Sequence, residues 1–267
     1  MNITAFFYII LLLLLNGCST PSAKFHQTAL AKNFHLQKLT NSRFQHIIYH
    51  NTLTENPDND TLHIYLDGDG SPWINHRWIA KDPTARNPLI LDLMALDKKP
   101  SILLGRPCYY SLHTTPACHF RFWTSHRYSK VVIQSMTETL KQWLCTHPHI
   151  KKLVFIGYSG GGALAVLLAP YFDNIKAVMT IAANLDTDSW TTLHHYTPLS
   201  HSLNPIQQPP LSASIKQIHI AGKNDNNIPV RLIQSYIDKQ YHAQLIIIKK
   251  QAHSHWQPHW LKILDII

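Results

Sequence analysis

A glycine-rich pentapeptide in the middle of the chain contains the side chain best suited to covalent chemistry. The sequence G-Y-S-G-G at 157–161 matches the pattern G-x-S-x-G, in which a serine stands on a sharp strand-to-helix turn. The apolar run 153–156 before it predicts a buried strand, and the small residues 162–165 after it predict the start of a helix. This context predicts that Ser159 is a nucleophile. The alternative is a glycine-rich turn without chemistry.

A nucleophilic serine needs a base and an acid that orients the base. Asp225 comes just after a predicted strand at 215–220, and His253 comes just after a predicted strand at 245–248. The order Ser, Asp, His, with each residue beyond a different strand, is far more specific than the pentapeptide. We therefore predict a triad of Ser159, Asp225 and His253.

Other residues compete for two of these roles. Asp186 and Asp188 follow an earlier predicted strand and could supply the acid, and His255 could replace His253 as the base. Together with His259, the last two histidines could also suggest a metal site. No carboxylate or Cys is spaced with them as a ligand set, so we predict neither a metal nor a cofactor.

Acyl transfer also needs hydrogen-bond donors for a developing oxyanion. One predicted donor is the backbone N–H of Gly160, directly after the nucleophile. The second is expected from the loop 67–70 (D-G-D-G) after an early strand, at Gly68 or Asp69. The alternative is that this loop is a simple turn.

From residue 61 onward, apolar strands and amphipathic helices mostly alternate, which predicts an α/β fold with a mostly parallel sheet between two helical layers. Two runs at 34–39 and 44–50 predict a hairpin, and helices are expected at 87–97, 128–145, 163–169, 229–239 and 255–267. One domain is predicted over 33–267. The stretch 184–214 lacks periodicity and contains four prolines, so we expect it to form a cap.

The start of the chain predicts export. An apolar run at 6–15 is too short for a membrane span and fits a signal peptide over 1–17. The residues up to Cys18 resemble a bacterial lipobox, with an ordinary signal peptide as the alternative. We expect Cys18 to be lipidated, 18–32 to be a tether, and Ser19 to favour the outer membrane, facing the periplasm.

Composition limits the partners. The chain has 24 Lys and Arg against 15 Asp and Glu, a formal charge of +9, but the basic residues are scattered. We therefore expect attraction to anionic lipid and no nucleic-acid binding. With 45% hydrophobic and only 15% charged residues, the chain does not have the composition of a disordered protein.

The remaining cysteines and several large side chains carry structural expectations. Cys108 and Cys118 lie ten residues apart in a proline-containing loop, a spacing that suits a disulfide in an oxidising compartment. Cys145 is expected to be a buried free thiol. Arg106 is expected in a structural ion pair, and the tryptophans at 73, 78 and 123 as core or loop anchors.

Four motifs resemble those of a bacterial group within the α/β-hydrolase superfamily, over about 61–267. Its members carry an E-G-D-G loop followed by Trp, then G-R-P-C, G-Y-S-G-G-G and N-L-D. Here the corresponding residues are 67–70 with Trp73, 105–108, 157–162 and 184–186, and Asp67 replaces the usual Glu.

The resemblance implies a serine hydrolase but no particular substrate. We expect a small-molecule or lipid ester as substrate; amide or thioester cleavage and acyl transfer use the same groups. The alternative from another class is a non-catalytic envelope lipoprotein that binds a ligand or partner. A prolyl-type peptidase would usually bring an extra domain. The oligomeric state is left open.

Overall fold

The computed structural model describes residues 19–267, which form a central sheet with helices on both faces. Residues 1–17, predicted to be a signal peptide, and Cys18 lie outside the described residues. The strands are β1 (His35–Thr40), β2 (Gln45–His50), β3 (Thr61–Leu66), β4 (Trp73–Ile74), β5 (Trp78–Ile79), β6 (Ser101–Leu104), β7 (Lys152–Tyr158), β8 (Ile175–Ile181), β9 (Lys216–Gly222) and β10 (Ala243–Ile248). The α-helices are α1 (Pro21–Ala31), α2 (Leu89–Ala95), α3 (Lys130–Cys145), α4 (Gly160–Leu168), α5 (Thr187–Leu193), α6 (Val230–Ile237) and α7 (Gln257–Leu264).

Eight strands form the main sheet in the order β1-β2-β6-β3-β7-β8-β9-β10. The pairs β1–β2 and β2–β6 are antiparallel, and all the others are parallel. The carboxyl ends of β3, β7, β9 and β10 therefore meet at one edge, where α/β sheets place their ligand sites. The predicted sheet class and hairpin are confirmed. The strands β4 and β5 pair only with each other.

Alternation along the strands builds two cores. In β7, Leu153 and Phe155 belong to the same core as the buried side chains of α3, α4 and α6, whereas Val154 and Ile156 belong to the core that includes those of α1, α2 and α7. All four side chains are fully buried. A strand buried on both faces has a continuous apolar sequence, which is why this run was recognisable.

The prediction of a tether over 18–32 is wrong for most of its length. Residues 21–31 form the helix α1, which is capped by the Thr20 hydroxyl and begins with a proline in its first turn. Phe25 and Ala29, one turn apart, are fully buried. The body of the domain thus begins before residue 33.

Smaller corrections concern element ends and one thiol. Helix α2 is shorter than predicted, and Leu96 beyond its end is exposed. Cys145 is free but exposed, because it lies on the outer side of the last turn of α3. Cys108 and Cys118 are joined by a disulfide, as predicted. Within 19–267, no helix is long and apolar enough to cross a bilayer.

Candidate active site

Ser159 stands on a strained turn between β7 and α4. Its φ of 52° and ψ of −120° lie in a region that side-chain-bearing residues rarely adopt. The turn is fixed by its backbone, since the Ser159 N–H donates to Ile181 O at 2.9 Å and its carbonyl accepts from Gly162 N at 3.0 Å. A Cβ at Gly161 would collide with the Leu66 carbonyl. This is the geometry of a nucleophile elbow.

The three predicted triad residues are within hydrogen-bond distance of one another. The Nε2 atom of His253 lies 3.1 Å from Ser159 Oγ, and its Nδ1 lies 2.8 Å from Asp225 Oδ2. Asp225 has a fully buried side chain, and its other oxygen accepts from the N–H groups of Asn227 and Ile228, both at 2.8 Å. With Nδ1–H directed at the carboxylate, Nε2 is left as the acceptor that faces the serine.

The competing residues have other partners. Asp186 caps α5 by accepting from Ser189 N, and Asp188 accepts from the Gln207 side chain. His255 is exposed and faces Ser254 Oγ at 2.9 Å. The geometry therefore favours Asp225 and His253 over all three alternatives.

The two candidate donors in the loop 67–70, the N–H groups of Gly68 and Asp69, have different neighbours. The Gly68 N–H donates to its neighbour's carboxylate, Asp67 Oδ1, at 2.8 Å, so the choice between Gly68 and Asp69 narrows to Asp69. Within residues 19–267, the N–H groups of Asp69 and Gly160 have no hydrogen-bond partner. A Cβ on Gly68 would lie 3.5 Å from Ser159 Cβ, which places this loop beside the nucleophile.

A buried ion cluster fixes the side chain of Asp69. Its carboxylate receives hydrogen bonds from Arg106 at 2.8 Å, Arg127 at 2.9 Å and the Tyr128 hydroxyl at 2.6 Å. Its carbonyl accepts from the Tyr109 hydroxyl at 3.1 Å. Arg106 is thus in a structural ion pair, as expected. All polar groups of Asp69 except its N–H are held in place.

Two carboxyl groups of this loop have opposite pKa shifts. Burial raises the pKa of Asp67 to about 6, because the hydrogen bond from Gly68 and the charge of Arg106 offset the loss of hydration only in part. Burial also acts to raise the pKa of Asp69, but the charges of Arg127 and Arg106 overcome this and lower it to about 2. Asp69 is therefore a fixed anion next to the loop backbone.

Sequence reasoning missed the neighbours of His253. Asn227 places its Nδ2 at 3.1 Å from His253 Nε2, beside the serine. The His253 carbonyl accepts from the Tyr158 hydroxyl at 3.1 Å and from Trp256 Nε1 at 2.8 Å. Tyr158 could have been predicted to lie near the site, because it directly precedes Ser159. Asn227 gives none, since an Asn after a strand usually signals only a turn.

Comparisons with known proteins place this geometry in a class. The model of the family described as BAAT / Acyl-CoA thioester hydrolase C terminal matches residues 137–256, a stretch that includes Ser159, Asp225 and His253. A comparison with curated proteins finds no match.

Solved structures of similar shape are numerous. The esterase Pf2001 of Pyrococcus furiosus superposes with a TM-score of 0.60 at 14% identity, covering 94% of this chain and 95% of its own. An alpha-beta serine hydrolase homologue from Coxiella burnetii gives 0.57 at 9% identity, covering 87% and 94%. A puromycin-hydrolyzing peptidase of Mycobacterium tuberculosis gives 0.61 at 13% identity, covering 87% of this chain and 38% of the peptidase.

These likenesses define the class. The chain has the α/β-hydrolase fold, and its family match and site geometry are those of a serine hydrolase acting on acyl bonds.

Proposed function

We propose that this protein is an envelope serine hydrolase that cleaves a carboxylic ester through an acyl-enzyme. The observation that carries the proposal is the chain of contacts from Ser159 Oγ through His253 to Asp225, at 3.1 and 2.8 Å. Both distances are within the range expected of a nucleophile, its base and the acid that orients the base.

In this proposal, Ser159 Oγ attacks the acyl carbon while its proton passes to His253 Nε2. The carbonyl oxygen becomes an oxyanion that accepts hydrogen bonds from the N–H groups of Asp69 and Gly160. His253 then returns the proton to the leaving alkoxide as the carbon–oxygen bond breaks. In the second half, His253 takes a proton from water, the hydroxide attacks the acyl group, and Ser159 Oγ leaves with that proton.

Asp225 stays ionised throughout and stabilises the imidazolium formed in each half. The hydrogen bonds that hold the Asp69 side chain support the proposal that the Asp69 N–H is an oxyanion donor, because such a donor must be held in place before charge develops. Removing one such donor typically costs about 10²–10³ in kcat.

A thioester is the second candidate substrate, favoured by the match to the BAAT / Acyl-CoA thioester hydrolase family. The catalytic groups serve both substrates, because each reaction begins with attack on an acyl carbon. We also propose that Cys18 carries lipid and anchors the chain at the outer membrane, facing the periplasm, as its lipobox-like surroundings suggest. Segment 184–214 is proposed to act as the cap.

The test is labelling with a fluorophosphonate probe, which reacts only with an activated serine. We expect stoichiometric modification of the wild-type protein at Ser159, and none in Ser159→Ala or His253→Ala. Ser254→Ala is a matched control and should label normally. Absence of labelling in folded wild-type protein would contradict the proposal and favour a ligand-binding lipoprotein. A panel of p-nitrophenyl esters and acyl thioesters would then separate the two substrate classes.

A further inference from the structure

The small hairpin of β4 and β5 exposes four large apolar side chains. Trp73 pairs with Ile79, and Ile74 pairs with Trp78. Their exposed fractions are 41% and 38% in the first pair and 39% and 63% in the second. The expectation that these tryptophans are core or loop anchors is therefore wrong, whereas Trp123 is buried as expected.

The hairpin is held firmly where it leaves the domain. The Ala80 N–H donates to Pro72 O at 2.9 Å, and the Ser71 N–H donates to Pro83 O at 2.8 Å. Trp123 Nε1 donates to Ala80 O at 3.1 Å. Because the base is fixed, the apolar side chains are presented outward by a defined scaffold.

One cation lies against these side chains, and two more follow closely in the chain. The Arg77 guanidinium lies over the Trp78 ring at 5.3 Å from its centroid, and Lys81 and Arg86 are exposed nearby in the chain. The one acid in residues 71–86, Asp82, accepts hydrogen bonds from the N–H groups of Ser22 and Thr84. Residues 71–86 contain three Lys and Arg and one Asp, a net charge of 3 − 1 = +2, and the whole chain is also positive, at +9.

This combination fits a bilayer better than a protein partner. Four such side chains can bury on the order of a few hundred Å², well below the roughly 800 Å² per partner of a stable protein interface. Tryptophan prefers the headgroup region of membranes, and Lys and Arg are attracted to anionic lipid. We propose that the hairpin 71–81 is a membrane-contact element that inserts Trp73 and Trp78 into the headgroup region of an anionic bilayer.

The position of the hairpin gives this contact a direction. It follows directly after the loop 67–70, and Gly68 of that loop lies beside Ser159. Docking through the hairpin would bring the catalytic edge of the sheet toward the lipid. The binding itself does not depend on the proposed hydrolase activity.

The test is co-sedimentation with vesicles, using residues 19–267, so that neither the apolar run 6–15 nor a lipid on Cys18 contributes to binding. We expect binding to phosphatidylcholine vesicles that contain phosphatidylglycerol, and much weaker binding to phosphatidylcholine alone. Trp73→Ser with Trp78→Ser should lower the partition coefficient at least about tenfold. Arg77→Gln with Lys81→Gln should lower it about fivefold per residue on the anionic vesicles only.

The matched control is Tyr171→Ser with Tyr241→Ser, since these aromatic side chains are exposed by 43% and 65% but lie outside the hairpin. This variant should bind as the wild type does. Equal binding by the tryptophan variant and the control would overturn the proposal, provided both have the wild-type far-UV circular dichroism and thermal midpoint. Dimerisation of the wild type without lipid, abolished by the tryptophan substitutions, would also overturn it and assign the hairpin to a protein interface.

Discussion

Two aspartates that the sequence leaves as rivals differ in what their oxygens accept. Asp225 divides its oxygens between the imidazole of His253 and two backbone N–H groups. Asp186 uses one oxygen for the first turn of α5 and for the Asn204 amide. Asn could replace Asp186 with little loss. At 225, an Asn would keep its oxygen on the two backbone N–H groups and turn its Nδ2 toward His253 Nδ1, which favours the wrong tautomer of the imidazole.

We therefore expect Asp225→Asn to lower kcat by about 10³–10⁴, as removal of the triad acid does elsewhere. Asp186→Asn should change kcat less than about threefold, because Asn is as good an N-cap as Asp. Steady-state hydrolysis of an activated ester measures both. The reverse ranking would show that Asp186 is the triad acid.

Asp67 and Asp69 are two residues apart, and their contributions to stability change with pH in opposite directions. Asp67 has a folded-state pKa of about 6, above its ordinary 3.8, so its contribution to stability is complete below pH 3.8 and is lost as the pH rises through 6. Asp69 has a folded-state pKa of about 2, so its contribution is present above pH 3.8 and is lost as the pH falls through 2.

Neutral amides at these positions should have opposite effects at pH 7. Asp67→Asn should raise the free energy of unfolding by up to about 3 kcal/mol at pH 7 and have little effect at pH 3.8, since the wild-type carboxyl is then protonated in the folded state. The Asn carbonyl can still accept from Gly68 N. Urea unfolding at the two pH values measures the difference.

Asp69→Asn serves as the partner experiment. It should lower the free energy of unfolding at pH 7 by about 2–3 kcal/mol, because Arg106 and Arg127 lose their counter-charge. Equal signs for the two variants at pH 7 would contradict the assignment of their environments.

Among single residues, the sequence predicted those whose place in the site follows from their position directly after a strand. Ser159, Asp225 and His253 each follow a strand, and parallel strands bring such positions together. It could not predict Arg127 beside Asp69, 58 residues away, because that contact depends on side-chain packing. Asn227 was missed for the same reason.

At the scale of elements, α5 is joined to the loop after β9. Trp190 Nε1 donates to Asn227 Oδ1 at 3.3 Å, and His194 Nε2 donates to Asn227 O at 2.8 Å. The first contact fixes the orientation of the Asn227 amide, so that its Nδ2 faces His253. The segment proposed as a cap thus reaches the base through one residue.

A double-mutant cycle between Trp190→Phe and Asn227→Ala tests this coupling. We expect the two changes in unfolding free energy to be non-additive by about 1 kcal/mol, the contribution of one hydrogen bond. Trp190→Phe combined with Tyr241→Ser should be additive, because no contact joins those residues. An additive result for the first pair would show that α5 and the loop are independent.

The elements themselves were predictable where burial leaves a pattern. Strand β7 is apolar throughout, and α3 repeats apolar residues at helical spacing. Helix α1 was missed because only Phe25 and Ala29 of its apolar residues are buried, which is too few for a periodic signal.

In the whole molecule, α1 joins the loops that follow β6 to the rest of the domain. The Phe25 ring lies 4.7 Å from that of Tyr110 and 5.8 Å from that of Tyr49, measured between centroids. Ser22 Oγ accepts from Ser111 N at 2.7 Å, and Lys32 pairs with Asp92 at 2.7 Å. The N-terminal segment is therefore part of the core.

Phe25→Ala should lower the free energy of unfolding by about 3–5 kcal/mol, because it leaves a cavity among aromatic rings. Leu30→Ala on the same helix is the control and should cost less than about 1 kcal/mol, since Leu30 is 52% exposed. Thermal or urea unfolding measures both. Equal and small losses of unfolding free energy in the two variants would show that residues 21–31 are a tether and not part of the core.

The positive φ of Ser159 has a consequence for how such a chain can change over generations. Glycine would occupy that conformation without the cost of about 1–2 kcal/mol that a side-chain-bearing residue incurs. A lineage released from selection on its chemistry would thus gain stability by losing the hydroxyl. The presence of serine at a position where folding alone favours glycine is what continued selection for a reaction would maintain.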